Sequence, residues 1–231
     1  MKKLILTAFA VVFLALNATT GSAAYLELWD WEFNITGGGP YGWVDNNSDG
    51  VPDSGSVPGL NQSAFSWAEG NNVGTLTLTF NPGSAGSYAV SGWFDYDLYD
   101  DNGGGFFDDE FSALEGTADN SYGQFGEAQN LTVTDDTGAE YYYDASMKIG
   151  YNAIALAANE YAVISFILST EAPNGFHIYQ IDEYTPTAGQ TPAVYLSSSI
   201  EIKETVVPEP ATLMLFGIGL LGVAGIGRRK I

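Results

Sequence analysis

Short alternating runs cut by turn residues limit this chain more than any other feature. In Thr75-Leu76-Thr77-Leu78-Thr79-Phe80 the apolar side chains fall on one face and the threonines on the other, the period of two of a half-buried strand. Asn81-Pro82-Gly83-Ser84 reads as a turn, and 87–96 continues as another strand. Residues 25–35 carry Leu26, Leu28, Trp29, Trp31, Phe33 and Ile35 on rows of spacing two, ended by Gly37-Gly38-Gly39-Pro40. Trp29 and Trp31 are expected to share a face, as core filling or as a sugar-stacking platform. Leu131 to Thr134, the turn Asp135-Asp136-Thr137-Gly138 and the run 139–143 predict a hairpin. The near-continuous apolar run 161–168 predicts a central strand covered on both faces. Two more strands are expected at 176–181 and 193–202. Loops are expected from the Asp45 region to about Gln62, through the acidic segment 95–110, and at 185–192. Only 153–159 has room for one or two helical turns. Many short strands with Gly, Pro, Asn and Asp turns, and no alternation with helices, predict an all-β antiparallel β-sandwich, jelly-roll-like in its wrapping. No internal repeat is visible.

The ends have a different character. Lys2-Lys3, the apolar stretch 4–16 and the small residues Gly21-Ser22-Ala23-Ala24 make up a secretory signal peptide, expected as a helix over 1–24 and cut by signal peptidase. At the other end Pro208-Glu209-Pro210 precedes an uncharged run over 211–227, closed by Arg228-Arg229-Lys230. At about 1.5 Å per residue that run reaches roughly 25 Å as a helix, the short end of a membrane span. The prolines suit a helix start, Glu209 would sit at its positive end, and the basic cluster predicts that the C-terminus stays in the cytoplasm. Between the ends, 25–207 is expected to form one exported domain long enough to bury a core.

Charge narrows the partners. Five of the seven basic residues lie in the two ends, so the central part keeps only Lys148 and Lys203 against all but one of the 28 acidic residues. Such a field excludes nucleic acid as a partner and favours cations. With no cysteine, core packing or metal must do what disulfides do in many exported domains.

Pro208-Glu209-Pro210, the glycine-punctuated apolar helix and Arg228-Arg229-Lys230, in that order, resemble the PEP-CTERM sorting tail of exosortase-processed bacterial proteins. The resemblance covers residues 208–231. It implies export, anchoring in the inner membrane through the C-terminal transmembrane helix, and cleavage near the PEP motif by an exosortase-type enzyme. The expected destination is a Gram-negative envelope or the medium. It also implies an association with exopolysaccharide and biofilm matrix, which the residues themselves do not carry.

Two acidic segments are candidates for metal. Asp45, Asn47, Asp49 and Asp53 stand at positions one, three, five and nine of a tight loop, with Gly50 at six and the carbonyl of Val51 as a further oxygen. Ca²⁺ takes six to eight hard oxygens, and this spacing points several at one centre. The loop is similar to the DxDxDG calcium loops of EF-hands, dockerins and thrombospondin type 3 repeats. It departs from an EF-hand at position twelve, which is Ser56, and in having no flanking helices. The second segment gathers Asp95, Asp97, Asp100, Asp101, Asp108, Asp109 and Glu110 around Gly103-Gly104-Gly105, with no lysine or arginine nearby. Either calcium gathers these carboxylates or they splay into water.

Catalytic signals are weak. His177 is the sole histidine and has no nucleophile motif beside it; its default reading is a surface or half-buried strand residue. There is no HExxH and no GxSxG. A carboxylate pair such as Asp108 and Glu110 would suit a glycosidase, but so many acids pair by chance. The sequence therefore reads as an exported, non-catalytic surface or matrix protein, calcium-stabilised, with polysaccharide as its candidate ligand. A secreted glycan hydrolase using two carboxylates and a homotypic calcium-dependent adhesin are the alternatives.

Overall fold

The computed structural model describes residues 25–42, 56–68, 71–99, 110–134, 137–138, 140–182 and 193–205, with Met214, Phe216 and Ile218 of the tail. Eleven strands form among the described residues: β1 (Tyr25–Ile35), β2 (Gly39–Gly42), β3 (Leu60–Phe65), β4 (Gly74–Phe80), β5 (Gly86–Tyr99), β6 (Glu110–Glu115), β7 (Gln124–Thr134), β8 (Glu140–Leu156), β9 (Glu160–Ser169), β10 (His177–Asp182) and β11 (Ala193–Glu204). They make two sheets, ordered β2-β1-β5-β8-β7 and β3-β4-β9-β11-β10-β6. Every pairing within them is antiparallel. The all-β sandwich is the architecture expected from the alternation.

The sheets meet through the alternate residues that the period of two turns inward. Phe33 of β1 lies edge-on to Phe166 of β9, ring centroids 5.2 Å apart, and Phe94 of β5 stands 6.0 Å from the same ring. Leu76 and Leu78 of β4, Ile164 of β9, Leu196 of β11, and Met147 and Ile149 of β8 close the core around them, all fully buried. Burial of this apolar area is the main stabilising term. Gly92 of β5 makes room in that core, since a Cβ there would fall 2.8 Å from the Phe94 ring and 3.1 Å from Phe166.

Two irregularities reset the pattern. A bulge in β1 between Leu28 and Asp30 inserts Trp29, so Leu26 and Trp31 both face the core although an even number of residues lies between them. Trp29 is 59% exposed and Trp31 is 1% exposed; the expectation that the two share a face is corrected by this extra residue. A register shift opposite Tyr88 and Val90 likewise steps the buried row of β8 from Tyr151 to Ile154. The helical turns expected at 153–159 are absent, because β8 stays extended through Leu156.

Other boundaries moved. β5 runs past the expected 87–96, through Asp97 to Tyr99. β3 occupies 60–65, beginning inside the expected loop, and β2 and β6 are strands that alternation did not signal. β9 is central, flanked by β4 and β11, but only one of its faces is sealed; Ile167 on the other is 36% exposed. The 131–143 hairpin forms and is longer than expected, with Gly138 at φ 85° in its turn. A single 3-10 turn at Asn120–Tyr122 is capped by Asp119, whose side chain accepts from Ser121 N.

The signal segment 1–24, the loop 185–192 and most of the tail lie outside the described residues. Met214, Phe216 and Ile218 are helical and more than 60% exposed. Among the described residues no helix is long and apolar enough to cross a membrane.

Candidate functional site

Asp30 of β1, Asp95 and Asp97 of β5, Asp144 of β8 and Glu110 of β6 lie near one another at the end of the sandwich where Leu26 of β1 pairs with Leu98 of β5. Strand geometry sorts them into two environments. Asp95 and Asp97 alternate with the buried Phe94, Tyr96 and Leu98, so they point to the outer face of the five-stranded sheet. The register places Asp30 opposite Asp95 on one side and Ser146 opposite it on the other.

Asp95 bears the cost of this crowding. One of its carboxylate oxygens, Oδ1, is buried without a hydrogen-bond partner. Burial first, and then the negative charges of Asp144, Asp97 and Asp30, push its carboxyl up from the ordinary 3.8 to about 7. The lysines of the domain are committed elsewhere: Lys148 bonds Glu127 at 3.0 Å and Lys203 bonds Glu201 at 3.0 Å.

Glu110 faces the other way. It begins β6, is 4% exposed, and sits between the sheets beside Gln180 of β10. Its Oε1 accepts from Leu98 N at 2.6 Å and its Oε2 from Gln180 Nε2 at 2.5 Å. Gln180 also donates to the Tyr96 carbonyl at 2.5 Å, and the Tyr96 hydroxyl donates to the carbonyl of Asn72. Asn72 in turn accepts from Leu28 N, at the β1 bulge, through Oδ1 at 3.1 Å. Burial drives the Glu110 carboxyl up from 4.5 to about 9, against the lowering effect of its two hydrogen bonds. The result is a neutral acid at pH 7 that ties β5, β6 and β10 together.

Ser112 continues this seam: its hydroxyl donates to Ser146 O at 3.1 Å, its backbone nitrogen donates to Asn130 Oδ1 at 2.7 Å, and its carbonyl accepts from Asn130 Nδ2 at 3.0 Å. These bonds close the flank between β6 of one sheet and β7 and β8 of the other.

Among the sequence-predicted metal residues, Asp95 and Asp97 are strand residues on the outer face. Asp45, Asn47, Asp49, Val51, Asp53, Asp100, Asp101, Asp108 and Asp109 lie outside the described residues, as do Pro208, Glu209, Pro210, Arg228, Arg229 and Lys230. Among the described residues no three of His, Asp and Glu are placed to hold a metal ion. His177 is more enclosed than expected, at 4% exposure, with Nδ1 2.9 Å from the Gly175 carbonyl, Nε2 3.5 Å from Glu115 and its ring against Tyr195. Gln180 was not signalled at all. Only its inward position beside Glu110 gives it a role, and that pairing crosses 70 residues of sequence.

Residues 206–230 match the family model of the PEP-CTERM protein-sorting motif. The chain thus carries the sorting signal expected from its tail, the mark of an exported protein with C-terminal anchoring and exosortase processing. No curated protein and no solved structure matches the chain.

Proposed function

We propose that this is an exported, non-catalytic surface or matrix protein, delivered by its sorting tail, stabilised by calcium and binding polysaccharide. The observation that carries the reading is the sorting motif at 206–230 on the same chain as an all-β sandwich. The nested pairing of β4 with β9 in one sheet and β5 with β8 in the other supports a jelly-roll-like wrapping. Two features support a non-catalytic role. Glu110, a carboxylate considered for a glycosidase pair, is held inside the sandwich by Leu98 N and Gln180, and His177 is covered by Tyr195.

Calcium is supported by charge. Asp95 is crowded by Asp30, Asp97 and Asp144 without a lysine to relieve it, and the Asp45 loop has the oxygen spacing that the ion needs. A calcium site would draw its ligands from that loop and from the carboxylates at 100–109.

Fractionation of the producing cell tests the reading. The chain is expected in the envelope or the medium, deletion of 206–230 is expected to change where it accumulates, and the exported chain is expected to release no sugar from glycans. Sugar release abolished by one carboxylate substitution would favour the hydrolase instead.

A further inference from the structure

We propose that a groove at the end of the sandwich opposite Glu110 binds a neutral glycan; this rests on the polysaccharide-binding reading above and gives it a site. The groove measures about 510 Å³ and lies between the β1–β2 turn, the Pro58-Gly59 segment and the β4–β5 turn. That is within the about 300–1,000 Å³ typical of ligand clefts.

Its walls are held in place before any ligand arrives. Tyr41 packs against Gly38 and Gly39, where a Cβ would fall 2.6 Å from its hydroxyl and 2.5 Å from its ring, so the Gly-Gly pair is what lets the ring lie there. Phe80 and Tyr88 stand edge to face at 5.3 Å. The Tyr88 hydroxyl donates to Ser84 O at 2.7 Å, fixing the ring to the β4–β5 turn. Asn81 spends its Oδ1 on Gly83 N at 3.1 Å, which leaves its NH₂ group for a ligand.

The lining chooses the ligand class. None of its described lining residues is charged, although the chain has 28 acidic residues. Among the described lining residues a cationic ligand would find no carboxylate, and an anionic one would meet the repulsion of a net charge of −21. What the groove offers is aromatic surface from Tyr41, Phe80 and Tyr88, proline edges, and uncharged donors and acceptors on Thr79 and Asn81. A neutral sugar ring is complementary to this, with a C–H face for an aromatic ring and hydroxyls at its rim for the amide and hydroxyl groups.

The test is native affinity electrophoresis of the full chain, solubilised in a non-glycosidic detergent, through gels containing laminarin, galactomannan or dextran, with alginate as the anionic polymer. Retardation by at least one neutral glycan and none by alginate is expected. Tyr41→Ala, and separately Asn81→Trp at the exposed rim, are expected to weaken it about tenfold or more, with the melting temperature of Asn81→Trp lowered by only about a few degrees through loss of its exposed bond from Gly83 N. Retardation that survives both variants overturns the groove and leaves glycan binding to another surface. Preference for alginate, or relief of retardation by a proline-rich peptide that occupies the same rings, overturns the neutral-glycan assignment. No retardation in any gel overturns both the groove and the polysaccharide-binding reading.

Discussion

Glu110 and Gln180, 70 residues apart in sequence, meet side chain to side chain at 2.5 Å between the two sheets. The contact joins the start of β6 to the middle of β10, and through the Tyr96 carbonyl it reaches β5 in the facing sheet. A charged carboxylate in that position would be desolvated with no cation to offset it. The fold therefore keeps Glu110 protonated.

This gives stability a definite pH dependence. An unfolded chain releases the Glu110 proton near the ordinary 4.5, whereas the folded chain holds it to about 9. Across that window the native state binds the extra proton, so the Glu110 contribution is complete below about 4.5 and is lost as pH rises towards 9. Thermal melts from pH 5 to 9 are expected to show a falling melting temperature. Glu110→Gln is expected to flatten the slope while lowering stability by about 1–3 kcal/mol at pH 5, because an amide must set an N–H against Leu98 N or against the Gln180 amide. An unchanged slope in the variant would assign the pH dependence to other groups.

Asp95 acts in the same direction over a lower window, from the ordinary 3.8 to about 7. Asp95→Asn removes a charge that burial and three neighbouring carboxylates oppose. In metal-free buffer at pH 8 the variant is expected to melt higher, by about 2–4 °C for each kcal/mol relieved at this chain length. At pH 4, where the native Asp95 is already protonated, the difference is expected to vanish. Differential scanning calorimetry at the two pH values checks both halves.

Calcium is expected to raise the melting temperature and chelation to lower it. An ion at a hundredfold excess over its dissociation constant adds about 2.7 kcal/mol. Asp49→Ala is expected to abolish the gain if the Asp45 loop holds the ion, and to leave it intact if only the carboxylates at 100–109 do. A melting temperature indifferent to chelator in the unsubstituted chain would remove calcium from the account.

How much of this was legible in the sequence depends on how local the signal is. The period of two in 75–80 put Leu76 and Leu78 in the core because one residue's side-chain direction fixes the next one's. The same rule failed at Trp29, where a bulge adds one residue and reverses every later side chain, and nothing in the local composition announces a bulge. Tyr151 and Ile154, three apart, resemble one helical turn but are the two sides of another register shift. The acidic segment concealed the end of a strand: beyond the expected 87–96, Asp97 and Tyr99 continue β5, because Phe94, Tyr96 and Leu98 alternate into the core while Asp95 and Asp97 face out. The Glu110–Gln180 contact was out of reach, because it depends on which strands become neighbours across the sandwich. The sorting motif was readable, since its information lies in a short run of chemistry and not in any tertiary contact.

The most direct measurement is mass spectrometry of both termini of the chain recovered from the envelope and medium of the producing cell. The account predicts a mature N-terminus next to Ala23 or Ala24 and a C-terminus near Pro208-Glu209-Pro210, with the cleaved form disappearing when the exosortase-type enzyme is deleted. Recovery of the intact chain of 231 residues as a soluble cytosolic protein would contradict it.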